Sequence, residues 1–323
     1  MKRQLRKVIV VMLVGVFLYG VFVLYAGYAQ IQQSLATFHY SAFVLAILLS
    51  SFNYGLRFLK WEYYLARLDI RGVPKLESLL VFLSGFVLTV TPGKVGEVFK
   101  SAVLAETHGV PAARTAPIVV AERLTDVIAV IALIVAGSSA FHGGLPWAIA
   151  GSVAVALGMT LILWRAPALA AFAWIERPDS RLRDFAPKLR EGYASLRIVA
   201  TPSALLWPTL LSIVGWGAEG FALFLLLRGF GAPVEPTLCI FFYATATLAG
   251  AIVPVPGGLG VAEALIQEQL IRLGGVAQGP ATASMILIRF ATLWWAVLVG
   301  FAALALLRTR FPGLLREVAR DVA

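Results

Sequence analysis

Residues 8–28 and 145–164 each run for about twenty positions without one charged side chain, the length a helix needs to cross roughly 30 Å of hydrocarbon. The second run is interrupted only by Ser152, Thr160, a proline and two glycines. A bilayer offers no water to an unpaired N–H or C=O, so a spanning chain closes its hydrogen bonds inside helices or a barrel. Unbroken runs of this length select helices. With 60% of residues hydrophobic and 14% charged, an ordinary soluble domain is excluded. The expected fold class is an all-α polytopic membrane protein.

Lys2, Arg3, Arg6 and Lys7 precede the first run, as in a signal peptide. The run is long enough to span, and no small-residue cleavage site leading into a soluble domain follows, so it reads as a retained helix. Cys239 is the lone cysteine, and His39, His108 and His142 lack metal-site spacing. No disulfide, metal or cofactor is expected. The net charge of +10 raises the question of nucleic acid. Its distribution answers it. Basic residues gather at the N-terminus and at 60–75, 165–197 and 308–320, always beside apolar segments, which is the pattern of cytoplasmic loops and of attraction to anionic lipid.

Six full crossings fit these charges: 8–28, 40–60, 114–138, 145–164, 203–227 and 281–307. Two further apolar segments, 76–107 and 237–272, are each broken in the middle. The first break reads Thr91-Pro92-Gly93-Lys94-Val95-Gly96-Glu97, and the second reads Val255-Pro256-Gly257-Gly258-Leu259-Gly260-Val261-Ala262-Glu263. Read as two re-entrant broken-helix hairpins entering from opposite faces, they put both termini and the basic loops in the cytoplasm. Only Arg228 and Arg272 remain outside. The chain then divides, as one integral membrane domain over 1–323, into an extra N-terminal helix (1–39), repeat 1 (40–138), a connecting helix with a basic cytoplasmic linker (139–202), repeat 2 (203–308) and a tail (309–323). In the linker Arg181, Arg183, Lys188 and Arg190 interleave with Leu182, Phe185, Leu189 and Tyr193, an amphipathic pattern suited to the leaflet surface or to joining the repeats.

The division into repeats rests on sequence matches. Leu48-Leu49-Ser50 and Asn53-Tyr54-Gly55 match Leu210-Leu211-Ser212 and Gly215-Trp216-Gly217 at constant offset, which sets Arg57 opposite Glu219. Downstream, Gly109-Val110 matches Gly275-Val276, and Arg123 falls opposite Arg289. Helix 40–60 runs inward and 203–227 outward, so the internal repeat is inverted. Interrupted segments at matching places in two inverted halves point to a transporter's substrate site.

Charges at membrane depth cost a few kcal/mol or more and face the interior. Those expected there are Arg57, Lys94, Glu97, Glu122, Arg123, Asp126, Glu219, Glu263 and Arg289. Glu122 and Asp126 share a helix face, and Arg123 and Asp126 can pair at i, i+3. This triad suits either a lock between helices or a functional site. Each break exposes the N-terminus of a half-helix starting near Val95 and Leu259, where free N–H groups attract anions. Lys94, Arg123 and Arg289 could complete a phosphate pocket. Glu97 and Glu263 suit dipole capping, or the holding of a cationic headgroup or a coupling proton. Gly258 and Gly260 permit tight turns. Trp61, Tyr63, Tyr64, Trp147, Trp164 and Trp207 read as interfacial belt anchors, and Trp294-Trp295 as core packing.

Taken in order, Arg57-x-x-Lys60-Trp61, Gly85 through Pro92-Gly93-Lys94-x-Gly96-Glu97, Glu122-Arg123-x-x-Asp126 and Pro254-x-Pro256-Gly257-Gly258-x-Gly260-x-x-Glu263 resemble the lysylphosphatidylglycerol synthase transmembrane-region family over about 40–308. That family includes the flippase half of the multiple peptide resistance factor. The resemblance implies a lipid-flippase-like module with two re-entrant hairpins. It does not extend to the soluble aminoacyl-transferase domain of that factor, so aminoacyl-lipid synthesis is not expected.

The expected function is therefore a multi-pass flippase of the bacterial cytoplasmic (inner) membrane, moving a phosphate-bearing amphiphilic lipid between leaflets. Anionic, aminoacylated and polyprenyl- or hopanoid-type lipids are the candidate partners; a homo-oligomer or a biosynthetic enzyme partner is compatible with it, and nucleic acid is not. A non-enzyme is expected, since no recognisable catalytic or nucleotide-binding motif occurs; without a G-x-x-x-x-G-K-[ST] loop, any drive is expected from the lipid gradient, ions or membrane potential. The alternatives are an integral membrane lipid-modifying transferase, using Glu122 with Asp126, and a non-transporting scaffold for a lipid or envelope biosynthesis pathway.

Overall fold

The computed structural model describes residues 34–91, 96–138, 185–232, 234–253 and 255–314, with isolated positions between 149 and 175. The crossing expected at 8–28, nearly all of that at 145–164, and the residues Pro92, Gly93, Lys94 and Val95 of the first break lie outside them. Among the described residues every assigned element is helical.

The first long helix, α1 (Tyr40–Arg67), runs two turns beyond the expected 40–60. The reason is burial of its C-terminal half. Lys60, expected in a cytoplasmic basic loop, is 1% exposed because Asp126 and Ser212 meet its ammonium group. Trp61 and Tyr64, expected at the lipid interface, are fully buried, and the Trp61 indole donates to Ser78. The loop begins only after Leu68, where Asp69 takes φ 54°. Trp207, by contrast, is exposed as a belt residue should be.

The first interrupted segment is α2 (Lys75–Ser84), tightening into a 3-10 turn at Gly85–Leu88, followed beyond the break by α3 (Phe99–His108). Then come α4 (Ala112–Ser138), α5 (Ala186–Val199) and α6 (Pro202–Gly229). The second interrupted segment is α7 (Pro236–Ile252), a 3-10 turn at Pro256–Gly258 and α8 (Val261–Arg272). The described chain closes with α9 (Gln278–Arg289), a π-helical stretch at Phe290–Trp294 and α10 (Trp295–Arg310). Three helices, α1, α6 and the continuous Gln278–Arg310, are long and apolar enough to cross a membrane. The 27-residue α4 matches them in length but buries Glu122 and Asp126 within it.

Helices α1 and α6, the opening helices of the two halves, form the most extensive interface; α6 also packs on α4 and α7, and α10 on α2. The close approach of α1 and α6 depends on Gly215. A Cβ there would lie 2.1 Å from Asn53 Oδ1, so any larger residue would push Asn53 aside. Helix α5 rests on the N-terminal part of α4, burying Ser195 and Val199. Its Lys188 and Leu189 are both exposed; Arg181, Leu182 and Arg183 of the expected amphipathic stretch lie outside the described residues.

A charged cavity between two helix breaks

The second break is fully described and shows why the sequence interrupts a helix there. Pro256 has no N–H to donate to a continuing helix. Gly257, Gly258 and Gly260 adopt φ of 62°, 68° and 86°, a region where a side chain costs roughly 1–2 kcal/mol per residue. Helix α8 restarts with Gly260 as its N-cap. The expected start near Leu259 therefore shifts by two residues, because Leu259 is still extended.

The N–H groups at these restarts are in part already satisfied. Gly260 donates to Glu263 Oε2 at 2.7 Å, and at the first break Gly96 donates to Thr91 Oγ1 at 2.7 Å. Those amides are capped by the protein itself rather than left open for an anion.

The two halves place one ion pair in the same way. Arg123 on α4 donates to Glu97 at 3.0 Å, and Arg289 on α9 donates to Glu263 at 2.6 Å, both across a separation of 26 residues. Each arginine thus ties a long helix to the start of the half-helix before it. Arg289 also donates to the Gly257 carbonyl at 2.7 Å, so it holds the break itself.

Around the first pair lies a buried network. Arg57 donates to both Glu97 oxygens at 3.1 and 2.8 Å, and Thr89 donates to the same carboxylate. Lys60 donates to Asp126 at 2.8 Å and to Ser212, which also donates to Asp126. Arg123 completes the expected i, i+3 contact with Asp126 at 3.2 Å. Lys100 donates to Glu122 at 2.6 Å, its ammonium lying 4.7 Å from the Trp61 ring centre and 5.0 Å from that of Phe82. In a low-dielectric interior such charges persist only when paired and hydrogen-bonded.

A cavity of about 240 Å³ opens between the breaks. Thr89 and Thr91 line it from the first interrupted segment, and Gly250, Gly257 and Gly258 from the second. Arg57, Arg123, Asp126, Glu219 and Arg289 all reach it. Beside it the segments touch through apolar groups: Val90, Leu293 and Val297 form a small cluster with Leu259, and a Cβ on Gly257 would sit 3.2 Å from Val90.

Of the residues singled out in the sequence, Arg57, Arg123, Asp126, Glu219, Gly257, Gly258 and Arg289 meet at this cavity. Gly96, Glu97, Glu122, Pro256, Gly260 and Glu263 stand behind it, capping, turning or pairing. Pro92, Gly93 and Lys94 lie outside the described residues. Sequence reasoning missed Lys60 and Lys100, and the neutral lining residues Asn53, Tyr54, Trp216, Tyr243 and Thr292. Lys60 stood in the basic stretch 60–75 and Lys100 between Glu97 and Glu106, where neither position marks a lysine as buried. Among the neutral residues, Asn53, Tyr54 and Trp216 appeared only in the repeat match and Tyr243 and Thr292 in no pattern.

Tyr54 shows what such a residue does. Its hydroxyl donates at 2.7 Å to the Thr292 carbonyl inside the π-helical stretch, where an extra residue per turn loosens the regular ladder.

Residues 9–300 match the family described as Lysylphosphatidylglycerol synthase TM region. A UPF0104 membrane protein of Methanocaldococcus jannaschii is 25% identical over 219 residues, which cover 67% of this chain and 91% of the relative. With a match that spans both helix breaks and both arginine–glutamate pairs, the chain belongs to the lysylphosphatidylglycerol synthase TM region family, a membrane domain related to lipid handling.

Proposed function

We propose that the protein moves a phosphate-bearing amphiphilic lipid between the leaflets of a cytoplasmic membrane, holding the headgroup in the cavity between the breaks while the acyl chains stay in lipid. The observation that carries this reading is a cavity of about 240 Å³ lined by Arg57, Arg123 and Arg289 in a membrane protein. The volume falls just short of the roughly 300–1,000 Å³ that encloses a drug-sized ligand. It suits a headgroup, not a whole lipid. Arg123 is the arginine best placed for an anion. Its side chain is 23% exposed, and its buried Nε has no hydrogen-bond partner, leaving donor capacity that a phosphate oxygen would use.

In the accompanying topology six crossings and two re-entrant hairpins form an inverted repeat with cytoplasmic termini, and the short arms of the interrupted segments support the hairpins. At 1.5 Å per residue, α2 and α3 are each about 15 Å long and α8 about 18 Å, well short of the roughly 30 Å core. The matched Arg–Glu pairs support equivalence of the halves. Rocking of one half against the other would then open the cavity to alternate sides.

The transferase alternative draws less support. Its candidate acid and base, Glu122 and Asp126, are both engaged by buried lysines, whereas a general acid–base pair must be able to exchange protons with substrate. Reconstitution of the purified protein with fluorescent lipids is the test. Faster transbilayer movement than in empty liposomes is expected; no acceleration for any anionic or aminoacylated lipid would reject transport.

A further inference from the structure

Glu97 is paired with Arg57 and Arg123, Glu122 with Lys100, Asp126 with Lys60 and Arg123, and Glu263 with Arg289, all at 3.2 Å or less. Protonating any of these carboxylates would leave a buried cation short of its partner. Glu219 has no cation among the described residues. It is 4% exposed and lines the cavity, and its carboxylate accepts from Asn53 Nδ2 and the Tyr243 hydroxyl, both at 2.6 Å. These two partners suit either form of the carboxyl. An amide N–H donates to the oxygen of a neutral or an ionised carboxyl alike, and a hydroxyl donates or accepts by turning its O–H. A proton on Oε2 is therefore met by the Tyr243 oxygen with no heavy atom displaced.

The surrounding charges leave room for one proton. Among the described residues Arg57, Lys60, Lys100, Arg123 and Arg289 carry one positive charge more than Glu97, Glu122, Asp126 and Glu263 cancel. An ionised Glu219 balances it. An anion entering the cavity then brings net negative charge into a low-dielectric interior, and a proton on Glu219 removes it. The helices packed on α6 offer no rival acceptor. To the cavity α1 brings Tyr54 and Arg57, α4 Arg123 and Asp126, α7 Tyr243 and α9 Arg289, while α5 lines no part of it among the described residues. Asp126, the one carboxylate in that set, is held by Lys60 and Arg123.

We infer that Glu219 is a proton-coupling site: it gains a proton as an anionic headgroup enters the cavity and loses it as the headgroup leaves, so that lipid anion and proton cross together. The inference rests on the lipid-transport reading and supplies its driving force. One O–H bond forms at Glu219 on the side where the lipid is taken up and breaks on the other, the proton coming from water and returning to water. A singly charged lipid and its proton make a neutral cargo, which a pH gradient drives and a membrane potential does not. Glu219→Gln imitates the protonated form, its amide nitrogen donating to Tyr243 in place of the O–H.

The test follows acyl-labelled fluorescent phosphatidylglycerol, a singly charged anion, in liposomes bearing the full chain, under an imposed pH gradient or a potassium-diffusion potential, with protein-free liposomes as the blank. In the wild type the label is expected to gather in the leaflet facing the alkaline side, approaching about ten-fold per pH unit for one proton per lipid, and to ignore the potential. Glu219→Gln is expected to lose the pH response and to distribute with the potential, as a bare anion does. A wild-type distribution that follows the potential and not the pH gradient, or a Glu219→Gln protein with the wild-type pH response, would overturn the inference. Should Glu219→Gln fail to fold, Tyr243→Phe takes its place: it removes the hydroxyl that serves both forms and is expected to weaken the pH response, and an undiminished response would refute the assignment. Should no lipid move faster than in empty liposomes, the transport reading fails, and the proton site is decided in detergent. Short-chain phosphatidylglycerol added to weakly buffered wild type is expected to bind with uptake of about one proton per protein, and to bind Glu219→Gln without it. Uptake that is absent, or equal in both proteins, would sink the inference.

Discussion

The two halves of the molecule use the same Arg–Glu pair at the same spacing and surround it differently. In the first half Glu97 takes two arginines, and Lys60, Lys100, Glu122 and Asp126 extend the network through α1, α3 and α4. In the second half Arg289 holds Glu263 and one backbone carbonyl, and Glu219 has no cation among the described residues, taking hydrogen bonds from Asn53 and Tyr243. The first half is thus cross-braced by several ion pairs. The second has a single pair holding a helix break. The two pairs share a 26-residue spacing and differ in everything packed around them.

The comparison breaks most readily at Glu97. Glu97→Ala takes the carboxylate from buried Arg57 and leaves Arg123 with Asp126 alone; it is expected to destabilise the protein by about 3–5 kcal/mol, read as a lowered unfolding temperature in detergent. Glu263→Ala strands one arginine that keeps the Gly257 carbonyl, and should cost measurably less. Equal losses would show that the two halves are braced alike. Next, Gly257→Ala puts a side chain at φ 62° and within 3.2 Å of Val90. A loss of about 1–2 kcal/mol is expected, together with slower lipid movement, because the added methyl presses on the contact between the segments.

Tyr54→Phe removes the donor to the Thr292 carbonyl and should cost about 1 kcal/mol, with faster amide exchange confined to the π-helical stretch of α9–α10. Glu219→Gln, alone in this series, is expected not to lower stability, since it removes a buried charge that has no cation among the described residues; at the oxygen replaced by nitrogen the neighbouring side chain must accept rather than donate. A large drop in unfolding temperature there would assign Glu219 to the bracing and erase the contrast between halves.

Much of this was legible in the residues. The apolar segments expected at 40–60, 203–227 and 281–307 fall on the three helices long and apolar enough to cross a membrane, whereas the uninterrupted runs 8–28 and 145–164 lie outside or almost outside the described residues; the paired Pro-Gly breaks located both interrupted segments within a few residues of their observed arms. The spacing of Arg123 and Arg289 from the breaks brought both to the cavity. Partners were harder to read. Periodicity places a charge on a face without saying which other helix meets it, so nothing in the sequence paired Arg57 with Glu97. Lys60 and Lys100 were hidden for the same reason. A lysine near a helix end looks like a snorkelling or loop residue until a carboxylate from a distant helix arrives. Trp61 and Tyr64 misled because their amphipathic rings suit an interface and a hydrogen-bonded core equally. The cavity's neutral lining could not be read as a lining, because Asn53, Thr89 and Tyr243 converge only through tertiary packing.

The central claim is that the two helix breaks shelter a headgroup site. Electron cryomicroscopy of the protein in lipid nanodiscs tests it most directly. The account predicts headgroup density between Thr91 and Gly257, against Arg123 on one side and Glu219 on the other. A well-resolved map with the two breaks closed on each other, and lipid only around the outer helices, would contradict it.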